Sequence, residues 1–361
     1  MNLAKIDKNF RLNSVTATDV KWLDPREKPF SIYGVTYDYE QGCFVRLPRS
    51  VAENTSEGVT LLYKHTAGGR IRFKTNSPYV ALKCVAPNVG VMNHMPITLE
   101  YGFAVYIDGQ FRARISPEFQ AISHKEDSKV ESDGMYEIIY FDENKTYDVE
   151  IHMPLYGGIE QLFIGIKDGA EVKADTPYKH LQPVLFYGSS ITQGGCASRP
   201  GNDYIAHLSR WLDTDVLNLG FSGSAKAEPA MVDYLCSLDP SVFVLDYDHN
   251  APTLEHLKNT HFDLYSKFRS AHKDTPVIMI SRPDFHPWVK ENTLLREVVH
   301  ESYLKALSLG DKNVYYIDGE TLFDTNDIDA CTVDGHHPTD LGFYRMAEKI
   351  CPILKKALEN K

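Results

Sequence analysis

The chain has 361 residues, 43% hydrophobic and 24% charged, an ordinary balance for a globular protein and a length that leads to an expectation of two cores. Its formal net charge of -11 is wrong for nucleic acid or an anionic membrane surface as the main partner, and no Lys/Arg run exceeds Lys355-Lys356. The six cysteines, Cys43, Cys84, Cys196, Cys236, Cys331 and Cys351, show no CxxC or other metal-ligand spacing and read as single thiols in a reducing compartment. Met1 to Lys8 carries charges but no apolar h-region, and no apolar run approaches the ~18 residues of a membrane span, so the expected address is the cytoplasm.

Residues 1–175 read as an all-β sandwich, jelly-roll-like, with no long helical period. Arg70 to Lys74 alternates polar and apolar, and Val80 to Cys84 does so less strictly. Phe103 to Ile107 runs into Asp108-Gly109, after which Phe111, Ala113 and Ile115 alternate with polar neighbours, a hairpin signature. Tyr147, Val149, Ile151 and Met153 form one dry face, and Leu162, Ile164 and Ile166 another. The first thirty residues and Ser116–Gly134 are less regular and read as loops or edge structure.

Ala174 to Pro183 has two prolines and no period, which places a boundary there and a second domain at 183–361. Beyond it the pattern alternates strand and helix. Strand cores are predicted at Val184–Tyr187, Val216–Leu219, Val242–Leu245, Val277–Ile280 and Val314–Ile317, giving a three-layer α/β/α fold on a five-stranded parallel sheet. Helical stripes include Tyr204, Ile205, Leu208, Trp211 and Leu212 behind an N-cap at Asn202 or Asp203. Leu254, Leu257, Leu264, Tyr265 and Phe268 make a second stripe, and a last helix starts near Thr339 with Pro352 kinking it.

Four polar blocks punctuate this half. Gly188 breaks the first strand, and Ser190 follows at the carboxyl edge of the sheet, where open α/β sheets bind ligands. A serine needs a base, and His337 can serve if a carboxylate holds its ring in one tautomer. Asp334, three residues earlier, can close one turn onto that ring, whereas Gly335 alone separates it from His336. Acyl transfer also needs oxyanion donors, which Gly223 (backbone N–H) and Asn250 (side-chain amide) can supply. Each block has a plainer reading as a turn. Asp334-Gly335-His336-His337-Pro338 is also open to being a metal site, although no further cluster of His, Asp or Cys is evident to complete it. Arg199 and Arg282 follow sheet segments and read first as surface ion-pair partners; His94 can reach the second half from a sandwich loop; Cys196 is a weak rival nucleophile.

In this order, the blocks resemble those of the SGNH hydrolases, or GDSL esterases and lipases, over residues 184–361. Gly188-Ser189-Ser190-Ile191 is similar to the family's Gly-Asp-Ser-Leu, Asn218 to Gly223 to its second block, Asp248-His249-Asn250-Ala251 to its Gly-x-Asn-Asp, and Asp334-x-x-His337 to its last. The resemblance implies Ser190, His337 and Asp334 as the catalytic residues and Ser190, Gly223 and Asn250 as the oxyanion hole, with no metal or organic cofactor. Ser189 stands in place of a bracing Asp, and Asp248 and Ala251 replace a Gly and an Asp. The preceding sandwich is similar to that of two-domain members, several of them carbohydrate acetyl esterases. The expected activity is therefore deacetylation of a carbohydrate, with a small-molecule or oligosaccharide ester as substrate and self-association left open. Alternatives are an esterase or thioesterase acting on a lipid or another small acyl ester, and a sugar-binding protein with a degenerate hydrolase domain.

Overall fold

The computed structural model describes residues 14–117, 122, 128–138, 145–283, 290–324 and 326–360. Its first half contains strands β1 (Val20–Leu23), β2 (Ser31–Tyr33), β3 (Thr36–Asp38), β4 (Cys43–Val45), β5 (Arg70–Thr75), β6 (Tyr79–Pro87), β7 (Phe103–Ile107), β8 (Gln110–Ile115), β9 (Lys129–Glu137), β10 (Tyr147–His152), β11 (Gln161–Lys167) and β12 (Val172–Lys173). One antiparallel sheet runs β1-β11-β6-β9; the other runs β12-β5-β10-β7-β8, with β2 also on β5. The alternation in the sequence settles which faces meet. Ile71, Phe73, Val105 and Ile151 from the second sheet share a buried cluster with Val80, Leu82, Leu162 and Ile164 from the first. Asp108 and Gly109 both have positive φ, 49° and 75°, the backbone that a two-residue hairpin turn between β7 and β8 needs.

Within the irregular stretches, residues 1–13 and all of 118–127 except 122 lie outside the described residues. The described parts supply β1 and β9, which are the two edges of their sheet. Contrary to the all-β expectation, three short helices interrupt this half: α1 (Arg49–Thr55), α2 (Glu57–Leu62) and α3 (Ile97–Glu100). None is long enough for an apolar stripe to repeat, so tertiary packing rather than periodicity holds them. Ala52, Val59 and Leu62 pack into a core of the second half.

The second half is built on a parallel sheet of β13 (His180–Gly188), β14 (Thr214–Gly220), β15 (Val242–Asp246), β16 (Val277–Ile280) and β17 (Val314–Ile317), in the order β14-β13-β15-β16-β17. All five predicted cores lie inside these strands. Pairing begins at His180, ahead of the expected start, and the register shifts between His180 and Val184. Pro183 sits inside that shift, as a residue without an N–H must in a central strand. Helices α5 (Tyr204–Leu212) and α9 (Asp340–Glu359) bury Leu208 and Met346 against Val184, Phe186 and Val244. On the other face α6 (Pro229–Ser237), α7 (Leu254–Ala271) and α8 (Lys290–Ser308) cover Leu185, Tyr187 and Phe243. That second cluster also takes in Cys43, Val45, Leu47 and α1–α2, so the two halves share a core.

Candidate active site

The carboxyl end of β13 turns at Gly188, where a Cβ would lie 2.0 Å from Thr192 Oγ1 and 2.2 Å from the Asp246 carbonyl, so only glycine fits. The chain then enters a one-turn helix, α4 (Ser190–Gln193). Ser189 is its N-cap and accepts a hydrogen bond from the Ile191 N–H at 3.2 Å. That hydroxyl is fully buried and committed, whereas Ser190 is half-buried.

Ser190 Oγ lies 3.0 Å from His337 Nε2. His337 Nδ1 lies 2.7 Å from Asp334 Oδ2, while Asp334 Oδ1 accepts the backbone N–H groups of His336 (3.0 Å) and His337 (2.8 Å). The carboxylate thus holds both the ring and the turn that carries it. Burial by itself raises the Asp334 pKa, but the His337 and His336 hydrogen bonds prevail and hold it down at about 2. It stays charged at any ordinary pH, fixing the proton on Nδ1 and leaving the Nε2 lone pair toward Ser190.

The second block closes on α4 from the side. Gln193, fully buried, accepts the Ser222 N–H at 3.0 Å through Oε1 and donates to the Leu155 carbonyl at 3.1 Å and to His65 Nδ1 at 3.2 Å. Burial, then the Arg46 charge, push His65 down to about 3, so its neutral ring accepts. Gly223 has φ 66°, and a Cβ there would meet nothing within 4 Å, so its backbone faces open space. Asn250, at the end of a 3-10 turn (Asp248–Asn250), donates through Nδ2 to the Phe221 carbonyl at 2.8 Å, which leaves its second amide hydrogen available. Asp248, where a glycine was expected, accepts the Arg282 N–H at 2.9 Å and so joins the loops after β15 and β16.

Other groups sort by position. Arg199 donates to Tyr106 Oη at 2.9 Å and lies 3.6 Å over the Phe111 ring, a fastening to the sandwich. Arg282 is 8% exposed with its Nε unpartnered, and beside it the neutral His249 has an unpartnered Nε2. Burial first, and then the charge of Asp334, push the Cys196 thiol up to about 12, a poor nucleophile. His94 does reach the site: its ring centroid is 5.4 Å from that of His337. Tyr156, also from the first half, donates to the Ser190 carbonyl at 3.2 Å. Neither Tyr156 nor Gln193 is legible in the sequence, since neither belongs to a motif and both act across long separations.

Residues 181–355 match the model of the GDSL-like lipase/acylhydrolase family, and residues 20–172 match that of the N-terminus of SGNH-hydrolase-type esterases. The chain belongs to the GDSL-like lipase/acylhydrolase family. The chain is a carboxylic ester hydrolase, and each of its halves matches one of the two models. A Bacteroides ovatus protein assigned as a GDSL-like lipase is 28% identical, with a TM-score of 0.81 over 94% of this chain and 98% of its own. A salicylyl-acyltransferase of a tetracycline biosynthetic pathway is 19% identical, with a TM-score of 0.73 over 93% of this chain and 98% of its own. A family two carbohydrate esterase from Clostridium thermocellum, solved with cellohexaose, shares the fold at 15% identity, with a TM-score of 0.58 over 82% of this chain and 94% of its own. No curated protein matches the chain. Among the described residues, no helix is long and apolar enough to cross a membrane.

Proposed function

We propose that this GDSL/SGNH-family chain is a serine esterase that removes short acyl groups, acetyl first among them, from a carbohydrate. The observation that carries the reading is the continuous relay from Ser190 Oγ through the His337 ring to Asp334, at 3.0 Å and 2.7 Å. Ser190 Oγ attacks the ester carbonyl as His337 Nε2 takes its proton, and Asp334 stabilises the imidazolium. The backbone N–H groups of Ser190 and Gly223 and the free amide hydrogen of Asn250 receive the oxyanion. Collapse of the tetrahedral intermediate expels the sugar hydroxyl with the proton from His337, and water repeats the sequence on the acyl-enzyme. The family's carboxylic ester chemistry supports the reaction class. The two-part architecture shared with the carbohydrate esterase indicates which esterified alcohol to test first. Six unpaired cysteines fit work in a reducing compartment, and we place the enzyme in the cytoplasm.

The test is a panel of acetylated oligosaccharides set against aryl esters of increasing acyl length. Preference for acetyl on sugar is the expected result. A rise in kcat/KM with acyl length would move the substrate to lipid or thioester, and inertness toward every ester would leave only a binding role.

A further inference from the structure

We propose that His94, Cys196 and His337 form a site for zinc, and that zinc bound there takes the base away from Ser190. One ligand atom from each of the three lies within 4.8 Å of the other two, the one such group of His, Cys, Asp or Glu side chains among the described residues. Three remote segments bring them together: the loop before α3, the turn after α4 and the loop before α9. Donor atoms on a tetrahedral zinc sit roughly 3.3–3.8 Å apart, from bonds of about 2.0–2.3 Å, so the site needs to close by about 1 Å. His94 is exposed and can supply that movement.

The other two ligands are already set. Cys196 is buried in a left-handed backbone conformation, φ 73°, that a non-glycine residue adopts only where its surroundings impose it. Gly195 presses that turn against His337, since a Cβ there would lie 3.4 Å from His337 Cδ2 and 2.8 Å from Tyr156 Oη. Asp334 holds His337 Nδ1 at 2.7 Å, the carboxylate–histidine arrangement that orients an imidazole toward a metal. Without zinc, Cys196 is a neutral thiol. Binding replaces its S–H bond with an S–Zn bond and releases the proton to solvent, with no change of oxidation state. Zinc occupies the Nε2 lone pair, a water completes the tetrahedron, and the Ser190 hydroxyl loses its acceptor. The blocking effect rests on His337 being the base; the binding does not.

Three measurements on the full chain separate these. Zinc titrated calorimetrically should bind the wild type and Ser190→Ala alike, and on the order of a hundredfold more weakly in Cys196→Ser and in His94→Ala, one ligand's share of a structural site's affinity. Cobalt(II) should give a thiolate charge-transfer band that Cys196→Ser abolishes. Unchanged zinc affinity in both variants, or a band that survives in Cys196→Ser, overturns the site. Zinc should also slow wild-type turnover of aryl acetate and leave Cys196→Ser resistant. Binding without loss of turnover overturns the blocking role, and if no ester is turned over at all, the calorimetric and spectroscopic results still decide the site.

Discussion

Ser189 and Ser190 are neighbours of the same type whose hydroxyls have different work. Ser189 accepts the Ile191 N–H at 3.2 Å as a helix cap, and Ser190 lies 3.0 Å from an imidazole nitrogen. Ser190→Ala is expected to abolish ester hydrolysis. Ser189→Ala should keep kcat within about tenfold while losing about 1 kcal/mol of stability, the usual worth of a serine N-cap. Equal loss of activity in two folded variants would mean the wrong serine has been chosen. The two histidines divide in the same way. His337 shares a hydrogen bond with each of Ser190 and Asp334 through its ring, while His336 is exposed and meets Asp334 through its backbone N–H at 3.0 Å. His337→Ala should cost at least about a thousandfold in kcat, as loss of a triad base does, and His336→Ala about tenfold or less. Single-turnover rates of both variants check this, and a dead His336→Ala enzyme would end the Asp334-x-x-His337 assignment.

At the scale of elements, α4 needs bracing, because four residues cannot hold a nucleophile by themselves. The family's Asp is replaced by Ser189, and the brace comes instead from the end of β15. The Asp246 carbonyl accepts the Ser189 N–H at 3.2 Å, and its Oδ2 accepts the hydroxyls of Thr192 and Tyr204, both at 3.0 Å. Burial, then the neighbouring Asp248 charge, lift the Asp246 pKa to about 8 against those two donors. The folded protein therefore keeps this proton through a range where the unfolded chain, near 3.8, has released it. The contribution to stability is full below about pH 4 and is lost as the pH rises toward about 8. Asp246→Asn cannot ionise and keeps an acceptor for both hydroxyls. Its stability relative to wild type should rise across that window in urea titrations, with kcat within about tenfold. A difference that stays flat with pH would show Asp246 to be ionised throughout. Nothing local in the sequence announces this brace. The strand cores, the Asp108-Gly109 turn and the Asp334-x-x-His337 spacing were legible because each depends on residues a few positions apart. The contacts of Gln193 with His65 and of Tyr156 with Ser190 span 128 and 34 residues, and only the fold brings them together. The short helices α1–α3 leave no periodic signature in the sequence for a related reason, as their support comes from distant packing.

For the molecule as a whole, the question is whether the sandwich merely accompanies the α/β half or helps to build its site. Arg46 bears on this most directly. It follows β4 in the first half, is 3% exposed, and reaches across to donate to the Asn218 carbonyl at 3.2 Å and to that of Gly220. It also donates to the Leu62 carbonyl at 2.7 Å, and its guanidinium lies 4.5 Å over the Phe221 ring. All three acceptors are neutral, and among the described residues no carboxylate pairs with the guanidinium, so burial pushes its pKa down. A fastener alone would be better served by an apolar side chain. What Arg46 holds is the end of β14 and the Asn218–Gly223 block, from which Gly223 is proposed to meet the oxyanion. Arg46→Met keeps the bulk, loses the donors and leaves three carbonyls short of a partner, at a cost of about 2 kcal/mol in stability. If the sandwich shapes the site, the same substitution should lower kcat about tenfold with little change in KM, because a displaced oxyanion donor is missed only in the transition state. An unchanged kcat in a variant that melts earlier would reduce Arg46 to a fastener. In that case, residues 183–361 made alone should keep whatever activity their solubility allows. A kcat loss with intact KM makes the first half part of the catalytic apparatus.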